Sequence, residues 1–282
     1  MGQLNNGIVV RDNIRVEPKL LQGISEYARF NSGIWSVDQK NKSLSKFGRR
    51  ETLNTTETTI ADFDTSNNIK EENLLTTNGI THISSSNNTT DIGQVIKIEY
   101  HTINAGGDEL TFGVQSVVLN GQTIVPLPVP AARVSRMYNS SGTEIVGDIY
   151  AHEGNATAGV PVAGEIHARI VAGYQQTTKC ATSISNVDIM LVTSITTSVL
   201  DIQGATNLEA EFQIQTKALD GVWLPKFEWA CSNSGTASFH VDVDPVIIVP
   251  QNHDVRILGH TTTGSATVTA SFGGYLAILD SR

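Results

Sequence analysis

The feature that most constrains this chain is a two-residue alternation of apolar and polar side chains, recurring in short runs from about Leu74 to the C-terminus. Ile96, Ile98 and Tyr100 alternate with Lys97, Glu99 and His101, and Leu208, Ala210, Phe212 and Ile214 alternate with Glu209, Glu211, Gln213 and Gln215. Successive side chains of a strand point to opposite faces, so these runs read as strands with one dry and one wet face. Turn signals punctuate them about every ten residues: Asn104-Ala105-Gly106-Gly107-Asp108 and Asn120-Gly121 as hairpin signals, then Asp220-Gly221 and Thr263-Gly264. Val125-Pro126-Leu127-Pro128-Val129-Pro130 lacks ladder donors and is confined to a connector or an edge. Only 17 % of the 282 residues are charged, while Ser, Thr and Asn are abundant, a mix that suits strands and turns and disfavours a helical bundle.

The expectation is therefore an all-β chain, an extended N-terminal arm followed by two antiparallel β-sandwich, jelly-roll-like domains. Boundaries are expected at 1–70 for a partner-anchoring arm, 71–160 for the first β-domain and 161–282 for the C-terminal sandwich. In the arm the periodicity is poor. One amphipathic helix is expected after Pro18, where Leu20, Leu21, Ile24, Tyr27 and Ala28 repeat at three and four. Such a leader is expected to lie on a neighbouring subunit or on its own body. The formal net charge of −9 divides unevenly: residues 1–70 carry ten Lys/Arg against eight Asp/Glu, and residues 71–282 carry nine against twenty. An acidic body argues against direct nucleic-acid binding, which needs clustered cations to displace counterions. Only Lys40, Lys42, Lys46, Arg49 and Arg50 cluster in that sense, and they are assigned to partner anchoring. No apolar run is long enough for a membrane span, and the polar start carries no export signal.

The spaced motifs of serine hydrolases, zincins, phosphate-binding loops and dinucleotide sites are missing, so no enzyme and no cofactor is expected. His240, Asp242 and Asp244 would project from one strand face about 7 Å apart pairwise, with Val241 and Val243 turned to the core. A cation could bridge two of them if a loop added oxygens, but the polar face of an amphipathic strand explains the same pattern. Trp223, Phe227 and Trp229 are expected to share one face, as core or, with Tyr174, as a stacking platform for a glycan. Cys180 and Cys231 are expected as buried free thiols.

Beyond periodicity, several segments resemble virion structural proteins of tailed bacteriophages, notably marine and cyanobacterial ones. They are the run Gln94–Thr102, Leu119-Asn120-Gly121-Gln122-Thr123 and Ala132-Arg133-Val134-Ser135-Arg136-Met137-Tyr138. Further on, Ile170–Thr177, Val246–Pro250, Asp254-Val255-Arg256 and Ala266–Leu279 extend the resemblance from about residue 90 to the end. It implies a non-enzymatic virion component assembled in the host cytoplasm. The implied role is a capsid decoration or cement protein, a homotrimer bound to the major capsid protein or other virion proteins. The alternative it implies is a neck, tail or fibre component with a receptor- or glycan-binding sandwich.

Overall fold

A computed structural model describes residues 42–61, 74–162, 164–203, 208–233 and 237–278, and every described element is a strand. The expected helix after Pro18 lies outside the described residues. The first two strands are β1 (Lys42–Leu53) and β2 (Thr58–Thr59).

Nine strands follow in one block: β3 (Ile80–Ser85), β4 (Val95–Ile103), β5 (Leu110–Val118), β6 (Val125–Ala131), β7 (Arg133–Asn139), β8 (Ile149–His152), β9 (Ala156–Thr157), β10 (Val160–Pro161) and β11 (Ile166–Ile170). Sheets β11-β8-β3-β6 and β5-β4-β7 close on a core that includes Ile80, Ile83, Ile96, Ile98, Met137 and Ile149. In β4 Ile96, Ile98 and Tyr100 are buried as the alternation implies, but His101, read on the wet face with Lys97 and Glu99, is buried as well. Proline-rich β6 is an edge strand, as its missing donors require. Asn104–Asp108 does join the antiparallel β4–β5 pair. Asn120-Gly121 is a tight turn, with Gly121 at φ 57°, but not a hairpin: β5 pairs with β4 and β6 with β3, so the turn carries the chain between sheets.

The chain then runs through β12 (Ala181–Ser183), β13 (Asp188–Gln203), β14 (Leu208–Ala218), β15 (Leu224–Asn233), β16 (Ala237–Val249), β17 (His253–Thr261) and β18 (Ser265–Ile278). With β1 as the first of eight strands, the first pairs with the last (β1·β18), the second with the seventh (β12·β17), the third with the sixth (β13·β16) and the fourth with the fifth (β14·β15). Wrapping that folded ribbon adds the pairs β13·β18 and β14·β17 and yields sheets β1-β18-β13-β16 and β12-β17-β14-β15, the latter extended by the two-residue β2 on β17. This is jelly-roll topology. Its core includes Leu53, Met190, Val192, Phe212, Ile257 and Phe272.

Two expected boundaries move. Residues 42–53, read as part of the arm, are the jelly roll's first strand, and the first sandwich is inserted between that strand and the second. Residues 166–170, read as the start of the C-terminal sandwich, pair with β8 and complete the inserted sandwich. The alternation was legible at residues 166–170, but alternation does not say which strand is the partner, and at residues 42–53 the periodicity was poor. β1 also looks too polar for a core strand because its inward positions include Lys46 and Gly48. A Cβ on Gly48 would lie 2.0 Å from the Ile60 carbonyl oxygen and 2.7 Å from the Cys180 amide nitrogen, so only glycine lets these backbones meet.

Candidate functional site

Of the basic residues assigned to anchoring, Lys46, Arg49 and Arg50 have described side chains, and these do not form one exposed patch. Lys46 is buried on β1, and its Nζ donates to the Ser135 carbonyl on β7 at 3.0 Å. Burial pushes its pKa down to about 8, with Glu99 opposing the shift and Arg136 and Lys179 adding to it. The Arg49 guanidinium donates to the Tyr174 hydroxyl at 3.1 Å and lies 3.6 Å from the Glu51 carboxylate. Arg50 donates to the Thr52 carbonyl at 3.4 Å. Lys42 opens β1, and Lys40 lies outside the described residues. Lys46 and Arg49 thus anchor the jelly roll to the chain's own inserted sandwich. Strand pairing of β1 turns these positions toward β7 and the segment after β11, a long-range placement the local charge run does not encode.

The centre of this junction is an ion pair. Arg133, at the start of β7, presents Nε and Nη2 to the two carboxylate oxygens of Asp254 on β17, at 3.1 and 3.2 Å. Both residues are buried. The Ser183 hydroxyl also donates to Asp254, and Arg133 Nη1 donates to the carbonyls of Leu75 and Ala132. Satisfying the remaining donors and lone pairs in this way is what makes a buried pair tolerable. Nearby, Arg256 stacks 4.0 Å from the Trp223 ring centroid and donates to Gln215 Oε1 at 3.2 and 3.0 Å. The Asn252 side chain accepts from the Leu110 amide at 2.8 Å, and the Asn186 amide donates to the Leu110 carbonyl at 2.7 Å, tying the start of β5 to the jelly roll's loops.

A cleft of about 190 Å³ opens beside this network, bounded by Lys46, Glu99, His101, Phe112 and Asp188. His101 Nδ1 lies 3.3 Å from the Ser135 hydroxyl, and burial pushes the imidazole pKa down to about 4, so the ring is neutral near pH 7. The geometry is that of a joint: Arg133 of the inserted sandwich is neutralised by Asp254 of the jelly roll, and Lys46 of the jelly roll donates to a backbone carbonyl of the inserted sandwich.

The remaining candidates resolve simply. Val243 is buried and Val241 packs against the core, while His240 and Asp242 are exposed with 3.6 Å between ring nitrogen and carboxylate. Among the described residues no group of three His, Cys, Asp or Glu is placed to hold a metal ion. Trp229 and Phe227 stack in the core, 5.7 Å between centroids, but Trp223 does not share their face. The β14–β15 register shifts so that Ile214 faces Phe227 and Gln215 faces Pro225, and the extra residue, Lys226, reverses the parity. With Trp229 in the core, Trp223 under Arg256 and Tyr174 bonded to Arg49, the expected stacking platform is not assembled. Cys180 and Cys231 are buried and are not joined in a disulfide.

Sequence reasoning passed over Arg133 and Asp254 as functional residues. The available signal was a lone arginine within the small apolar run Ala131-Ala132-Arg133-Val134; its partner, 121 residues away, had no local mark.

No protein-family model matches the chain, and no curated protein matches it. Among solved structures, the Gx strain of infectious bursal disease virus is 9 % identical, covering 86 % of this chain and 73 % of that one, with a TM-score of 0.22. The VP2 subviral particle of the same virus is also 9 % identical, covering 93 % and 78 %, with a TM-score of 0.21. Its T13 particle is 7 % identical, covering 86 % and 78 %, with a TM-score of 0.20. Likenesses this slight carry no weight for fold or function, and none of the three is a tailed bacteriophage.

Proposed function

We propose that this chain is a non-enzymatic structural protein of a virus particle, a decoration or cement protein that joins neighbouring major capsid subunits. The observation that carries the reading is the strand order: an eight-stranded jelly roll with a second sandwich inserted after its first strand. Jelly rolls recur in viral capsids and also in lectins and cupins, so the step from fold to role is an analogy, supported by the phage-like segments of the sequence. The junction supports it further. A shell component must keep its shape under load, and here a buried, bidentate ion pair and a buried lysine fix one sandwich against the other. Residues 1–41 precede the jelly roll and are assigned to contact with neighbouring virion proteins, within a homotrimer.

Native mass spectrometry of the full chain tests the assembly. A trimer persisting at micromolar concentration is expected; a monomer at all concentrations would remove the trimer from the account. Binding to purified particles that lack the chain tests the role. Full-length protein is expected to sediment with them and protein lacking residues 1–41 is not; equal binding by both would overturn the arm's assignment.

A further inference from the structure

The cleft at the junction is walled by both sandwiches, with Leu44, Lys46, Ile184 and Leu276 from the jelly roll and His101 and Phe112 from the insert. Lys46 is buried there with little to balance its charge. An ammonium carries three donors, and among the described residues that of Lys46 makes one hydrogen bond, to the neutral Ser135 carbonyl. Two acids share the wall, and each is engaged elsewhere. Asp188 Oδ2 accepts from the Ser185 hydroxyl at 2.6 Å, and the Glu99 carboxylate lies 3.7 Å from the Arg136 guanidinium. Arg136 and Lys179 disfavour the Lys46 charge further, while Glu99 and the Cys180 sulfur favour it. His101 is neutral near pH 7. A buried ammonium so sparsely partnered costs free energy that an added anion recovers.

The other side chains of the wall set the shape of what that anion can belong to. Leu44, Ile184, Leu276 and the Phe112 ring supply an apolar lining, and the space is about 190 Å³. A cavity of about 150 Å³ holds benzene, so this one suits a single ring or a short branched chain with a charged head. Ligand sites commonly combine an apolar lining with a few polar groups that fix orientation. A dianion fits less well than a monoanion, because Glu99 and Asp188 stand on the same wall.

We propose that this cleft binds a small monocarboxylate with an apolar body, its head on Lys46 and its body against Phe112, Leu44 and Leu276. The site stands independently of the virion reading. Benzoate is the probe, titrated calorimetrically into the full chain, and binding at about millimolar or tighter is expected near neutral pH. Benzyl alcohol, uncharged and of similar size, is expected to bind about tenfold more weakly or worse. Burial holds the Lys46 pKa at about 8, so the ammonium is lost as pH rises through that value. Affinity for benzoate is therefore expected to fall about thirtyfold between about pH 7 and 9.5. Benzoate held by surface lysines would change less than about twofold over that range, because they titrate near about 10.4. Lys46→Met is expected to remove the binding, with circular dichroism checking that the variant is folded; if it does not fold, the wild-type pH profile decides. Four results would overturn the proposal: no benzoate binding at concentrations well above millimolar, equal binding of benzyl alcohol, an affinity unchanged across that pH range, or binding retained by folded Lys46→Met.

Discussion

The Arg133–Asp254 pair shows what a single long-range contact contributes. Removing one partner leaves the other charge buried, so Arg133→Met is expected to cost about 3–5 kcal/mol, read from the urea midpoint. Arg133→Met with Asp254→Leu is expected to recover most of that loss, because no lone charge remains; a double variant as unstable as the single one would contradict the assignment. Titration gives a second residue-scale prediction. His101 and His152 have pKa values pushed down to about 4 by burial, so the unfolded chain binds more protons than the folded one from about pH 6.5 downward. Stability is expected to fall as pH drops across that window and to gain no further slope from these groups below it. Lys46, lowered to about 8, acts in the alkaline range. Between about pH 8 and 10.5 Lys46 holds its proton more readily in the unfolded chain, so it contributes a rise of stability with pH there, and Lys46→Met is expected to remove that contribution in urea denaturation series. Residue-level legibility was uneven. Alternation placed Ile96, Ile98, Phe212 and Val243 in the core because inward or outward is a local property. Arg133 and Asp254 could not be paired, because pairing is a property of the wrapped chain.

At the scale of elements the decisive strand is β1. It lies opposite Ala266, Val268, Ala270 and Phe272 on β18 in an antiparallel ladder whose register shifts between Arg50 and Leu53, and it places Leu53 in the core. Removing residues 1–41 is therefore expected to leave cooperative thermal unfolding intact. Removing residues 1–53 is expected to open the edge of β18 and yield insoluble protein or a broad transition. A soluble, cooperatively folding chain without residues 1–53 would contradict the eight-strand assignment. The polar wording of β1, Lys-Ser-Leu-Ser-Lys-Phe-Gly-Arg-Arg, hid this role. Its inward Gly48 admits close backbone contact and its inward Lys46 is satisfied by the other sandwich, so neither position needs the apolar side chain that pattern reading looks for. The edge role of β6 and the hairpin at Asn104–Asp108 were legible, since proline chemistry and turn chemistry are local. The transfer between sheets at Asn120-Gly121 was not, because a tight turn serves a hairpin and a crossing equally well.

For the whole molecule, the insertion explains how one chain makes two lobes with little freedom between them. The chain leaves the jelly roll after β1 and β2 and returns at β12, so the inserted sandwich is held by both of its ends as well as by the junction's buried charges. A block of that kind transmits force through packed strands, which suits a component of a shell. Residues 71–282 carry the excess of acidic groups, twenty Asp/Glu against nine Lys/Arg. The measurement that tests the structural role most directly is an electron cryomicroscopy reconstruction of intact particles from cells making this chain with the rest of its genome. The account predicts density for the jelly roll and its inserted sandwich at fixed copy number around the shell's symmetry axes, with residues 1–41 running onto adjacent subunits. Complete particles that lack the chain, or copies confined to the tail, would contradict it.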